Sequence, residues 1–139
     1  MKKTNTNRIK LAIFDFDNTI FYETINKDIF EVISVYQKKN IKLAIASYNP
    51  YVKWFCNRYG ITKHFDIILG YHNEKNGKNE HIKEIRNYYA ECGLIFHDNE
   101  IIFFDDDTNN IDNVKKETNI ICIPVNPNTG ITLDILKLV

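Results

Sequence analysis

Asp15 and Asp17 bracket a single aromatic residue at the end of an apolar run, Ile9 to Phe14. In extended backbone, residues two apart point the same way, so both carboxylates face one volume. One carboxylate placed there can attack phosphorus and form an acyl phosphate. The other, when protonated, can give its proton to the departing oxygen. Three more polar signals follow in order: Ser47 after Ile41–Ala46, Lys78 ahead of a helical pattern, and Asp105-Asp106-Asp107 after Glu100–Phe104. The hydroxyl and the ammonium can hold phosphoryl oxygens. Three adjacent acids repel one another, and two explanations tolerate them here: a bound cation or a helix N-terminus just downstream. Magnesium suits the first, since it takes carboxylates and waters and neutralises phosphate charge.

These residues form a site only if the chain gathers them at one edge, and the hydrophobic pattern says how. Apolar runs at 9–14, 41–46, 65–69, 100–104 and 119–123 read as strands. Helical spacing separates them. The first helix is expected from Asn26 as N-cap, with Ile29, Val32, Ile33 and Tyr36 inward. The second opens at Asn49-Pro50, carries Val52, Phe55 and Tyr59, and stops at Gly60. After a polar loop from Tyr71 to Gly77, Lys78 to Glu91 shows Ile82, Ile85 and Tyr89 on one face. A short helix with Ile111 and Val114 follows the acids, and Ile131 to Leu138 suits a terminal helix after a turn at Thr129-Gly130.

Alternation of this kind predicts the α/β class: a three-layer, Rossmann-like single domain over residues 1–139, with about five parallel strands and helices on both faces. In such sheets ligands bind beyond the carboxyl ends of the strands. The acids at 15, 17 and 105–107 and the hydroxyl at 47 fall at ends of that kind.

Eighteen basic residues balance eighteen acidic ones, so no global basic field argues for nucleic acid, although charge balance leaves that partner possible. No apolar run approaches the ~20 residues that span a bilayer, so no membrane association is expected. Met1 to Lys10 is polar and basic without the apolar stretch of a signal peptide. Cys56, Cys92 and Cys122 form no Cys-x-x-Cys and read as reduced thiols of a cytoplasmic protein.

Taken together, IFDFDNT, LAIAS, GK and IIFFDD resemble the motifs of the haloacid dehalogenase-like phosphohydrolase superfamily. Within it the chain resembles the magnesium-dependent phosphatase family, which pairs a similar segment (Gly77 to Ile82 here) with FFDD and a following Asn-Ile (Asn110-Ile111). The resemblance implies a phosphomonoester hydrolase with Asp15 as nucleophile and Asp17 as general acid and base. Ser47 and Lys78 would hold the phosphoryl oxygens; apart from the resemblance, Tyr48 and Asn49 are substrate-contact candidates by their place directly after Ser47. Magnesium would be held by the Asp15 carboxylate, the Asp17 backbone carbonyl and a carboxylate from Asp105 or Asp106, Asp106 being favoured as the direct ligand. The longer form of the last motif carries an acid where this chain has Asn110, so the resemblance implies no role there.

Only 29 residues separate Asp17 from Ser47, and 30 separate Ser47 from Lys78. Core elements fill both intervals, leaving no room for an inserted cap domain. An open site admits phosphate on a protein, a nucleic-acid end or a sugar projecting from something larger, and small molecules as well, since loops or a partner subunit can cover it. Phe21 and Tyr22 can line its entrance, Phe21 rather as core, and His72 can reach the rim. His81, one turn into the helix after Lys78, reads as a solvated or capping group. Three rivals stand beside this expectation: a polynucleotide 3′-end phosphatase of the same fold, a catalytically silent phosphate-binding module, and a receiver-like signalling module. A receiver would need an acid after the third strand, where Leu69-Gly70 stands.

Overall fold

The computed structural model of the chain describes residues 8–72 and 77–139; part of the polar loop after Tyr71, including Lys75, lies outside them. The elements run β1 (Leu11–Phe14), β2 (Phe21–Tyr22), β3 (Thr24–Ile25), α1 (Asp28–Lys38), β4 (Lys42–Ser47), α2 (Val52–Arg58), β5 (Ile67–Gly70), α3 (Lys78–Glu91), β6 (Ile101–Asp105), α4 (Thr108–Glu117) and β7 (Ile121–Pro124). Short 3₁₀ turns cover Thr62–His64, Asp98–Glu100 and Leu133–Leu138.

Five strands pair in the order β5-β4-β1-β6-β7, all parallel. The chain steps outward from β1 to β4 and β5, then returns to the other side of β1 with β6. That reversal opens a crevice over the carboxyl end of β1, where Phe14 pairs with Ile45 on one side and Phe104 on the other. The next residue out is Asp15.

Period-two alternation assigns the two faces. Ala12 and Phe14 join Leu43, Ile45, Phe104 and the apolar side of α1 and α2 in one core. Leu11 and Ile13 join Ala44, Ala46, Phe103 and the apolar side of α3 and α4 in the other. Every residue of β1 is fully buried, and burying each large apolar side chain stabilises by about 1.5–3 kcal/mol. Phe14 stacks on Phe104 at 4.9 Å between ring centroids. The strand carrying the nucleophile candidate is thus held from both faces and both edges.

Two elements depart from the sequence expectations. A small antiparallel hairpin, β2–β3, follows the first acidic motif; strands of two residues carry too little periodicity to announce themselves. The segment expected as a terminal helix from Ile131 is a 3₁₀ turn from Leu133 to Leu138. Its backbone has other partners: the Ile131 amide donates to the Thr19 carbonyl at 2.9 Å, and the Ile135 carbonyl accepts the Tyr36 hydroxyl at 2.9 Å. Asn26 lies two residues before α1. Its Oδ1 accepts from the Asp28 amide at 2.9 Å, while Nδ2 donates to the Ile131 carbonyl at 2.8 Å. Gly130 makes this closure possible, since a Cβ there would lie 2.6 Å from the Thr19 carbonyl oxygen.

Candidate active site

Asp15 is buried at the carboxyl end of β1. Its Oδ2 accepts from the Thr19 hydroxyl at 3.1 Å, and its Oδ1 accepts from Lys78 Nζ at 2.9 Å. Thr19 is brought back by a tight turn in which the Phe16 carbonyl receives the amides of Thr19, Ile20 and Phe21. Asn18 takes a left-handed φ of 62° in that turn, a conformation asparagine tolerates better than most residues.

Lys78 is the first residue of α3 and is fully buried. It bridges the two flanking strands, donating also to Asp105 Oδ2 at 2.8 Å. The ring of Tyr48 lies 5.0 Å from its Nζ and that of Phe103 5.7 Å. A buried ammonium survives only with such partners; its pKa is pulled down by burial but raised on balance by Asp15 and Asp105.

The three consecutive acids divide their work. Asp105, fully buried, accepts from Lys78 and Asn110 on Oδ2 and from the Asp107 amide on Oδ1 at 2.9 Å. Asp107 is the N-cap of α4, its side chain receiving the Asn109 amide at 2.8 Å. Asp106, half-buried, turns to Asp15 instead. Carboxylate oxygens of Asp15, Asp105 and Asp106 lie within 4.8 Å of one another. The helix N-terminus thus accounts for Asp107, while Asp105 and Asp106 lie with Asp15 in a cluster that could hold a cation.

Three carboxylates cluster here but only two pair with the Lys78 ammonium, and all three carboxyls are raised. Burial lifts the Asp15 carboxyl to about 6 against the pull of Lys78, and the Asp106 side chain adds to the rise. Asp105 and Asp106 are also raised, chiefly by burial. A divalent cation would supply the missing charge, and hard oxygen donors with one half-exposed member fit magnesium.

Asp17 is solvent-exposed, yet its carboxyl is raised by partial desolvation, opposed by a hydrogen bond from Asn49 and by Lys78. Ser47 is fully buried at the end of β4, its Oγ accepting the Asn49 amide at 2.9 Å. Asn49 also fixes the start of α2, where its Oδ1 takes the Tyr51 amide at 2.8 Å. Tyr48, half-buried, sends its hydroxyl to Asn110 Oδ1 at 3.3 Å.

All the residues expected at the site thus lie around the carboxyl ends of β1, β4 and β6. Thr19 and Asn110 join them through side-chain bonds to Asp15 and Asp105. Phe21 packs on Phe16 at 5.3 Å and Phe55 at 5.0 Å, while Tyr22 is exposed. His81 differs from its expectation: it is fully buried, stacked 4.3 Å from the Tyr71 ring, with Nε2 bonded to the Tyr71 carbonyl. Burial and then Lys78 lower its pKa.

No protein-family model matches the chain, and no curated protein does. Solved structures do. A candidate phosphatase from Clostridium difficile has a TM-score of 0.71 at 16% identity, with 90% of this chain and 88% of that one covered. A haloacid dehalogenase-superfamily hydrolase from Ehrlichia chaffeensis has a TM-score of 0.69 at 13% identity over 96% and 97% of the two chains. A 3-deoxy-D-manno-octulosonate 8-phosphate phosphatase from Moraxella catarrhalis, solved with magnesium, phosphate and the sugar, has a TM-score of 0.58 at 14% identity over 95% and 84%. The fold is that of the haloacid dehalogenase-like hydrolases. Among the described residues, no helix is long and apolar enough to cross a membrane.

Proposed function

We propose that the chain is a magnesium-dependent phosphomonoester hydrolase working through an aspartyl-phosphate intermediate. One observation carries the reading: carboxylate oxygens of Asp15, Asp105 and Asp106 lie within 4.8 Å of one another at the carboxyl end of the central strand, and the fully buried Lys78 ammonium pairs with only the first two. A purely structural cluster would gain nothing from so much unbalanced charge. The phosphatase neighbours of the same fold, one of them holding magnesium and phosphate, support it.

Asp15 and Asp106 would hold the metal, with the Asp17 backbone carbonyl; Asp105 has both oxygens engaged and steadies Lys78. When bound, magnesium supplies the positive charge that lets an anionic carboxylate approach a phosphate. An Asp15 oxygen forms the new bond to phosphorus as the ester oxygen leaves, and Asp17 gives that oxygen its proton. Water then attacks phosphorus, Asp17 takes its proton, and the acyl phosphate bond breaks to release phosphate. The raised Asp17 carboxyl suits a group that must hold and return a proton. Ser47 and the remaining N–H of Lys78 would hold the transferring oxygens.

Between Asp17 and Ser47 the described insertion is the β2–β3 hairpin, so the site would be open, with a sugar phosphate, another small phosphomonoester or a protein-borne phosphate as substrate. Hydrolysis of p-nitrophenyl phosphate with magnesium, with EDTA, and by Asp15→Asn tests the reading. Metal-requiring activity that the variant lacks is expected; an active Asp15→Asn would overturn the mechanism.

A further inference from the structure

Tyr48 follows the strand-end serine, where a substrate contact is expected, but its polar atom is already committed. The hydroxyl donates to Asn110 Oδ1 at 3.3 Å, and Asn110 Nδ2 donates to Asp105 Oδ2 at 3.0 Å. That same oxygen receives Lys78 Nζ, which also reaches Asp15. The Tyr48 ring covers Nζ from 5.0 Å, and the rings of His72 and His81 brace it at 5.3 and 5.5 Å. Gly77 leaves the hydroxyl its place, since a Cβ there would lie 2.9 Å from Oη.

We propose that Tyr48 and Asn110 are positioning residues that fix Lys78, acting through Asp105, in the orientation the nucleophile needs. The geometry stands alone; its kinetic consequence rests on the phosphatase reading above. A side-chain amide has one donating and one accepting end. Toward the Asp105 carboxylate only the donating end is tolerated, so Oδ1 must face away and needs a donor of its own. Tyr48 is that donor, and it locks the amide against rotation. A carboxylate at position 110 would instead set acceptor against acceptor beside Asp105. Asparagine at 110 and tyrosine at 48 therefore make sense as a pair. Two of the three Lys78 N–H groups are spent on carboxylates, so the direction of the third follows from where Asp105 is held.

The test is a cycle of Tyr48→Phe, Asn110→Ala and the double variant, with p-nitrophenyl phosphate as substrate and ¹⁵N NMR exchange of the Asn110 side-chain amide as a second readout. Tyr48→Phe keeps the covering ring and removes only the hydroxyl. A net neutral hydrogen bond corresponds to a ~2- to 12-fold effect, so kcat should fall by about that factor while KM moves less than about twofold. The double variant should be no slower than Asn110→Ala, and the Asn110 amide protons should exchange faster in Tyr48→Phe. A raised KM at unchanged kcat, effects that multiply in the double variant, or unaltered amide exchange would each overturn the proposal. If the wild-type protein hydrolyses no phosphomonoester, the amide exchange decides alone: faster exchange in Tyr48→Phe upholds the relay while the phosphatase reading falls.

Discussion

Removing the nucleophile candidate should make the metal-free protein more stable. Burial lifts the Asp15 carboxyl from 3.8 to about 6, so above that pH folding must hold a charge the unfolded chain carries more easily. At about 1.4 kcal/mol for each tenfold change in proton affinity, the displacement opposes folding by roughly 3 kcal/mol near pH 7.5. The sign follows from the direction of the rise. The opposition is complete above the folded value, relaxes as pH falls through it, and is gone below the unfolded value; at pH 5 roughly half remains. Asp15→Asn keeps an acceptor for Lys78 and removes the charge facing Asp106. Since Lys78 loses one counter-charge, the expected gain is about 1–3 kcal/mol at pH 7.5, a Tm rise of roughly 3–9 °C for a chain this size. Thermal unfolding in EDTA at pH 7.5 and pH 5 measures it, with the gap between variant and wild type shrinking at the lower pH. Added magnesium should raise the wild type and narrow the gap. A variant less stable than wild type at pH 7.5, or a gap that ignores pH, would refute the claim that uncompensated charge is stored at this position.

Asp17→Asn should abolish p-nitrophenyl phosphate turnover while shifting Tm by less than about 2 °C, because an exposed carboxylate contributes little to stability. Lys78→Met should lower kcat by ~10²-fold or more. By leaving Asp15 and Asp105 without their cation it should also destabilise by about 3–5 kcal/mol at pH 7.5, and by less at pH 5; equal Tm losses at both pH values would speak against the buried-pair account. Gly130→Ala forces a Cβ against the Thr19 carbonyl and a left-handed φ of 67°. It should cost about 1–3 kcal/mol in denaturant unfolding and slow turnover by displacing the turn that carries Thr19.

The sheet and the acids were legible in the sequence for one reason: buried parallel strands are apolar throughout, so a carboxylate at their end stands out. Ile9–Phe14 and Glu100–Phe104 announced Asp15 and Asp105 in this way, and α3 begins at Lys78 as the sequence pattern placed it. What stayed hidden were relations across elements. Nothing in the string Asp107-Thr108-Asn109-Asn110 says that the last residue reaches 62 positions back to a tyrosine. His81 could not be told from a surface group, since its burial depends on Tyr71 and Tyr48 closing over it. Periodicity over Ile131–Leu138 predicts a helix because it ignores competing partners, and here the Tyr36 hydroxyl donates to the carbonyl of Ile135.

The closure made by Asn26 joins residues 105 positions apart, and it bears on the order of events in folding. Local helices and the β1–β4 pair can form without residue 131, but the turn holding Thr19 against the nucleophile gains its outer support only when that distant segment docks. Contacts of such separation are slow to form, because the loop they close must first surrender its entropy. During refolding, Trp54 fluorescence on α2 should therefore recover before amide protection at Thr19 and Ile131, and simultaneous recovery would exclude this sequence. The chain would then be shaped first, with Thr19, whose hydroxyl holds the Asp15 carboxylate, among the last residues to be set in place.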